Sequence, residues 1–197
     1  MDEQRTSRYE YRVFDGDVSW LERQFEQRAR CRPEASSTQI YFLTRLNIDT
    51  NLKIRNEKLE LKTLEARDGL LERWLSVFRE DLPVPAQLVS GKALPELGIT
   101  LQLGRKGRLD IEDLVGIAER HRAFAPLVVN KKRRKYQLQE ALAEIVQVST
   151  GGGRRVESAA IESADADVAN ALIGDFGMMD LDNLSYPAFL QRWAFDH

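Results

Sequence analysis

The chain of 197 residues has a single cysteine, Cys31, and two histidines, His121 and His197. One thiol excludes an internal disulfide and any zinc site built from several cysteines. The histidines lie far apart in sequence, and their spacing makes no metal-ligand pair. Six prolines and 12 glycines exclude collagen-like and low-complexity chains. No apolar run approaches the roughly 18 residues that a membrane-spanning helix needs. Met1 to Arg5 is charged and has no apolar stretch behind it, which predicts no signal peptide. A cytoplasmic protein with no membrane partner is therefore expected. The Walker loop, the dinucleotide glycine fingerprint and the serine elbow are also missing. Gly151-Gly152-Gly153 lacks the Lys-Ser/Thr that completes a phosphate loop.

What is present describes a globular chain. Hydrophobic residues make up 43% and charged residues 30%, enough apolar surface for a sizeable core in about one domain. The net charge of −2 gives no general attraction to nucleic acid, but the charge is unevenly placed. Lys131 to Arg155 holds seven basic residues against Glu140 and Glu144, whereas Val156 to His197 holds Arg192 against eight acids. Opposed blocks of this kind can pair or can build a site of both signs.

Periodicity predicts the elements. Arg8 to Phe14 alternates Tyr9, Tyr11 and Val13 with Arg8, Glu10 and Arg12, the pattern of a half-buried strand. A helix follows on the face of Val18, Leu21 and Phe25, and Cys31-Arg32-Pro33 ends it. Strands are expected over 39–43, 51–55, 58–63, 99–103, 126–138, 140–148 and 155–162. Asn56-Glu57 and the triple glycine make hairpin turns. Helices are expected over 69–80, over 111–120 with Asp110 as cap, over 165–176 and over 184–195. About eight strands in mainly antiparallel connections predict an α+β protein with a curled sheet or barrel.

Several strands carry Lys or Arg at alternate positions: Arg8 and Arg12, Lys53 and Arg55, Lys58 and Lys62, and Lys131, Arg133 and Lys135. On a half-buried strand such a face simply meets water. If the sheet curls with these faces inward, it lines a tunnel with cations that only a multiply charged anion would fill. Arg forks suit phosphate oxygens, and Lys supplies mobile charge. Acids on the same faces, such as Glu10, Glu60 and Glu162, could hold a hard divalent cation through oxygen.

The order of short motifs resembles the CYTH family, the triphosphate tunnel metalloenzymes. Arg8-Tyr9-Glu10-Tyr11-Arg12 stands where that family opens with Glu-x-Glu-x-Lys. Tyr41-Phe42, Lys53-Ile54-Arg55 and Leu59-Glu60-Leu61-Lys62 follow in order. Then come Val129-Asn130-Lys131-Lys132-Arg133 with Tyr136, Ala160-Ile161-Glu162, and Ser185-Tyr186. Arg8 and Ala160 replace two carboxylates of the pattern, and Leu43 replaces an acid often found after Tyr-Phe.

The resemblance implies an eight-stranded antiparallel tunnel-like barrel with surrounding helices. It implies one CYTH-like domain over 1–197 with a helical insertion at about 69–120. Arg12, Lys53, Arg55, Lys62, Lys131 and Arg133 would grip phosphates. Glu10 and Glu162 would act in catalysis as ligands of Mg²⁺ or Mn²⁺, with Arg8, Glu60, Lys135 and Glu144 as further residues of the lining. The implied activity is metal-dependent hydrolysis of a triphosphate- or polyphosphate-type substrate. The alternative is a non-catalytic protein that binds a polyphosphate or an organic anion. The implied partner is a polyphosphorylated small molecule or inorganic polyphosphate.

Overall fold

The computed structural model describes residues 7–195. His197 and the charged residues before position 7 lie outside them. The strands are β1 (Ser7–Asp15), β2 (Ala35–Thr44), β3 (Thr50–Arg55), β4 (Lys58–Asp68), β5 (Leu71–Asp81), β8 (Phe124–Leu138), β9 (Ala141–Ser149) and β10 (Arg155–Ser163). They close into an eight-stranded barrel in the order β1-β10-β9-β8-β2-β3-β4-β5. Two short strands, β6 (Val84–Pro85) and β7 (Arg108–Leu109), pair separately. The helices are α1 (Ser19–Arg28), α2 (Ala86–Leu88), α3 (Leu94–Glu96), α4 (Ile111–Glu119), α5 (Ala166–Asp175) and α6 (Tyr186–Phe195); a π-turn, Val89–Ala93, joins α2 to α3. This is the α+β barrel expected from the sequence.

Two local expectations fail, and the failures offset in the strand count. Residues 69–80 form no helix: β5 runs from Leu71 to Asp81 as a barrel strand. Leu71, Trp74, Leu75 and Phe78 happen to fit helical spacing. Gly69-Leu70, with Gly69 at φ +58°, instead makes a tight two-residue turn between β4 and β5, and the aromatic residues that follow suit a strand. Residues 99–103 form no strand.

The chain divides into two compact units. The first comprises Met1–Thr38, Leu64–Leu75 and Val129–Ser185. In its core, Tyr11 and Val13 of β1, Ala143 and Ile145 of β9, and Ala159 and Ile161 of β10 pack against Leu21 and Phe25 of α1 and Ala169 and Ile173 of α5. These are the odd-numbered positions of each strand, so period-two alternation turns the even-numbered ones to the opposite face, away from the helices. The Tyr11 hydroxyl donates to the Met178 carbonyl at 2.8 Å, which ties the segment after α5 to β1. Asp165 caps α5 by accepting from the Asp167 and Val168 amides.

The second unit comprises Gln39–Thr63, Ser76–Val128 and Tyr186–His197. Phe42, Leu52, Ile54, Leu59 and Leu61 pack with Val89, Leu94, Leu114 and Ile117 of the helical segment. Asp110 and Asp113 form a reciprocal capping box at the start of α4. Asn56 and Glu57, both with positive φ, make the two-residue turn between β3 and β4.

Candidate functional site

In the first unit the side chains converge on Arg12. Its side chain is 2% exposed, yet every nitrogen of the fork has a partner. Nε donates to Glu10 Oε1 at 2.7 Å, Nη1 to Ser158 Oγ at 2.8 Å and Nη2 to Glu144 Oε1 at 2.7 Å. Glu162 Oε1 lies 3.7 Å from Nη2. Strand register explains the convergence. Arg12 on β1 faces Ala160 on β10, and Ala160 faces Glu144 on β9. The middle residue of that row is only a methyl, so a long side chain from β1 and one from β9 can meet above it. One step along, Glu10 faces Glu162 directly. Two opposed carboxylates repel, and the guanidinium beside them offsets that charge.

Glu144 is the second hub. Its Oε2 lies 3.2 Å from Arg133 Nε. Burial alone would push its carboxyl up. The charges of Arg12 and Arg133, the Arg12 hydrogen bond and the charge of Lys131 outweigh it and hold Glu144 at about 2. A carboxyl lowered from 4.5 to about 2 contributes about 3 kcal/mol of stability above pH 4.5, because the folded state favours the ionised form. That contribution is lost as pH falls from 4.5 towards 2. Urea midpoints measured across this window should fall steeply for the parent chain and less steeply for Glu144→Gln.

On β8 the same face carries Lys131, Arg133 and Lys135, set opposite Val148, Val146 and Glu144 of β9. Lys131 is 2% exposed. It lines a cavity of about 700 Å³ with Thr38, Gln147, Ser149 and Arg155 among its walls. Lysine is almost never buried to this degree without an electrostatic reason. Arg8, by contrast, is exposed and stands opposite Trp74.

The second unit has its own cluster around Glu60, which is 5% exposed. Glu60 Oε1 accepts from Arg55 Nη2 at 2.9 Å and lies 3.1 Å from Arg79 Nε. Oε2 lies 3.9 Å from Lys53 Nζ, and that ammonium stands 5.5 Å from the centre of the Tyr41 ring. Three cations thus surround one buried carboxylate. Lys58, paired with Asp81, and the half-buried Lys62 share the Glu60 face of β4.

These donors do not fit Mg²⁺ or Mn²⁺. Glu10 and Glu162 both face the Arg12 guanidinium, so a divalent ion between them would sit against a fixed positive charge. Ala160 supplies no oxygen, and Arg8 adds another cation at the end of the row. Among the described residues, no three His, Cys, Asp or Glu side chains are grouped so as to hold a metal.

Sequence reasoning missed Ser158, Glu72 and Arg79. Ser158 was detectable, since it shares the alternating face of Ala160 and Glu162. Glu72, set opposite Glu10 across β1 and β5, and Arg79 were hidden because 69–80 fits a helical period.

No family model matches the chain, and no curated protein matches it. Solved structures do. The barrel is similar to HpAC1 from Hippeastrum, named an adenylyl cyclase and described as having a dominant triphosphatase activity: TM-score 0.51 and 12% identity over 94% of this chain and 95% of that one. It is similar to the PH1012 protein of Pyrococcus horikoshii, with TM-score 0.53 and 17% identity over 90% and 97% of the two chains. A conserved protein of Pyrococcus furiosus gives TM-score 0.52 and 16% identity over 90% and 98%. The chain carries the fold of the CYTH-like triphosphate tunnel proteins, as a divergent example of it.

Proposed function

We propose that this chain recognises a triphosphate- or polyphosphate-type anion, inorganic or attached to an organic group, and that it acts as a binding protein for it. The observation that carries this reading is Lys131, a buried lysine lining a cavity of about 700 Å³ whose walls add Lys132, Arg155 and hydroxyls, with Glu157 as the acid among them. Three basic side chains against one acid favour an anion and give phosphate oxygens charge-assisted donors. Lys131, Arg133 and Lys135 provide the grip in the first unit. Lys53, Arg55 and Lys62 provide cations in the second, next to Glu60. Arg12, Glu10, Glu144 and Glu162 form the scaffold behind Lys131 and Arg133.

The second reading is hydrolysis of such an anion with Mg²⁺ or Mn²⁺. The shared barrel and the triphosphatase activity described for HpAC1 favour it. It requires Glu10 and Glu162 to leave Arg12. Phosphate release from tripolyphosphate, with and without Mg²⁺ or Mn²⁺, separates the two. A binding protein gives no release above blank in either condition. Release that depends on the metal replaces the first reading with the second. The described residues contain no helix long and apolar enough to cross a membrane.

A further inference from the structure

The three carboxylates around Arg12 bear on how an anion can be bound. An oxygen-lined divalent site needs carboxylates that point at empty space. Here Glu10, Glu144 and Glu162 point at a guanidinium that sits 2.7, 2.7 and 3.7 Å from their oxygens. Ser158 takes the remaining Nη1. Arg12 is anchored through its backbone as well. Its backbone amide donates to Asn183 Oδ1 at 2.8 Å, and its backbone carbonyl accepts from the Leu184 amide at 2.8 Å. Swinging the Arg12 side chain out to admit a metal would strand up to three carboxylates and lose the Ser158 hydrogen bond. The small Ala160 keeps the space open for the fork, and a glutamate there would close it.

We propose that Arg12 is a built-in cation occupying the place a divalent metal would take, so that this chain binds its anion without any metal ion. The proposal rests on the anion-binding reading above. A guanidinium carries one charge where Mg²⁺ carries two, and it has no exchangeable water. It offsets one of the three carboxylate charges, and Arg133 and Lys131 act on Glu144 as well, but it cannot bridge to a phosphate as a metal does. The anion is then held by the lysine and arginine side chains alone.

Two measurements on the full chain decide the matter. The first is calorimetric titration of sodium tripolyphosphate in excess EDTA and again in excess MgCl₂. The proposal predicts binding in EDTA at least as tight as in magnesium, because magnesium complexes the free ligand. Binding that vanishes in EDTA, or is about tenfold or more tighter with magnesium, overturns it. The second is the free Mn²⁺ signal in electron paramagnetic resonance, without phosphate. The parent chain should leave the signal intact. Arg12→Met, which uncovers the carboxylates at similar side-chain length, should quench it. Stoichiometric uptake by the parent chain, or a folded Arg12→Met that takes up none, contradicts the proposal. Should Arg12→Met fail to fold, the EDTA comparison and the parent chain's manganese signal still decide. If tripolyphosphate gives no heat in any buffer, the anion-binding reading fails, and the manganese measurements alone then judge the role of Arg12.

Discussion

Arg12→Met should melt about 10 °C below the parent chain. Removing one partner of a buried ion cluster typically costs about 3–5 kcal/mol, because the other charges stay buried and unpaired. For a chain of this size each kcal/mol moves the melting temperature by roughly 2–4 °C. Arg12 answers Glu10, Glu144 and Glu162 together, so its loss leaves like charges facing one another across β1 and β10. Arg12→Lys keeps the charge but loses the planar fork and should fall between the two. Coupling can be measured directly. Arg12→Met in a Glu144→Gln background should cost less than Arg12→Met alone, since one of the stranded charges is already gone. A melting temperature within about 2 °C of the parent would show that the cluster contributes little.

Lys131→Met should weaken tripolyphosphate binding by about 10- to 100-fold and lower the melting temperature by less than Arg12→Met does. The stability loss is the smaller of the two because Glu144 keeps Arg12 and Arg133 as partners when Lys131 is gone. Its ammonium is buried against a cavity wall, opposite Val148 and close enough to Glu144 to help lower its carboxyl. Hydrogen bonds to charged groups contribute about 1.5–3 kcal/mol each, which corresponds to the stated loss of affinity. Methionine fills similar volume but removes one of the charges that hold Glu144 ionised, so Lys131→Met also costs stability. A variant that melts as early as Arg12→Met yet binds tripolyphosphate as the parent does would make Lys131 a structural residue. Calorimetric titration beside a thermal melt on the same sample reads both quantities.

Much of this was legible in the residue pattern, and the rest was not for identifiable reasons. The alternation of Tyr9, Tyr11 and Val13 with Arg8, Glu10 and Arg12 gave β1 and both of its faces, since period two has a single structural meaning over that length. Asn56-Glu57 and the triple glycine marked two hairpins through their turn chemistry. β5 was lost because its apolar residues satisfy both periods, and with it went Glu72 and Arg79. The pairing of Arg12 with Glu144 needs the register of three strands from distant parts of the chain. No local pattern carries that information. The motif order nominated Glu10 and Glu162 as metal ligands and Arg12 as a phosphate grip. The side chains in the structure meet one another, an outcome set by Ala160 between them.

The most direct test is the melting temperature of the unaltered chain in EDTA, with tripolyphosphate compared against sodium chloride at matched ionic strength. A ligand that binds the folded state stabilises it in proportion to the logarithm of its concentration over its dissociation constant. The account predicts a midpoint that climbs steadily with tripolyphosphate and stays level with chloride. Identical midpoints in the two salts at every concentration would contradict it.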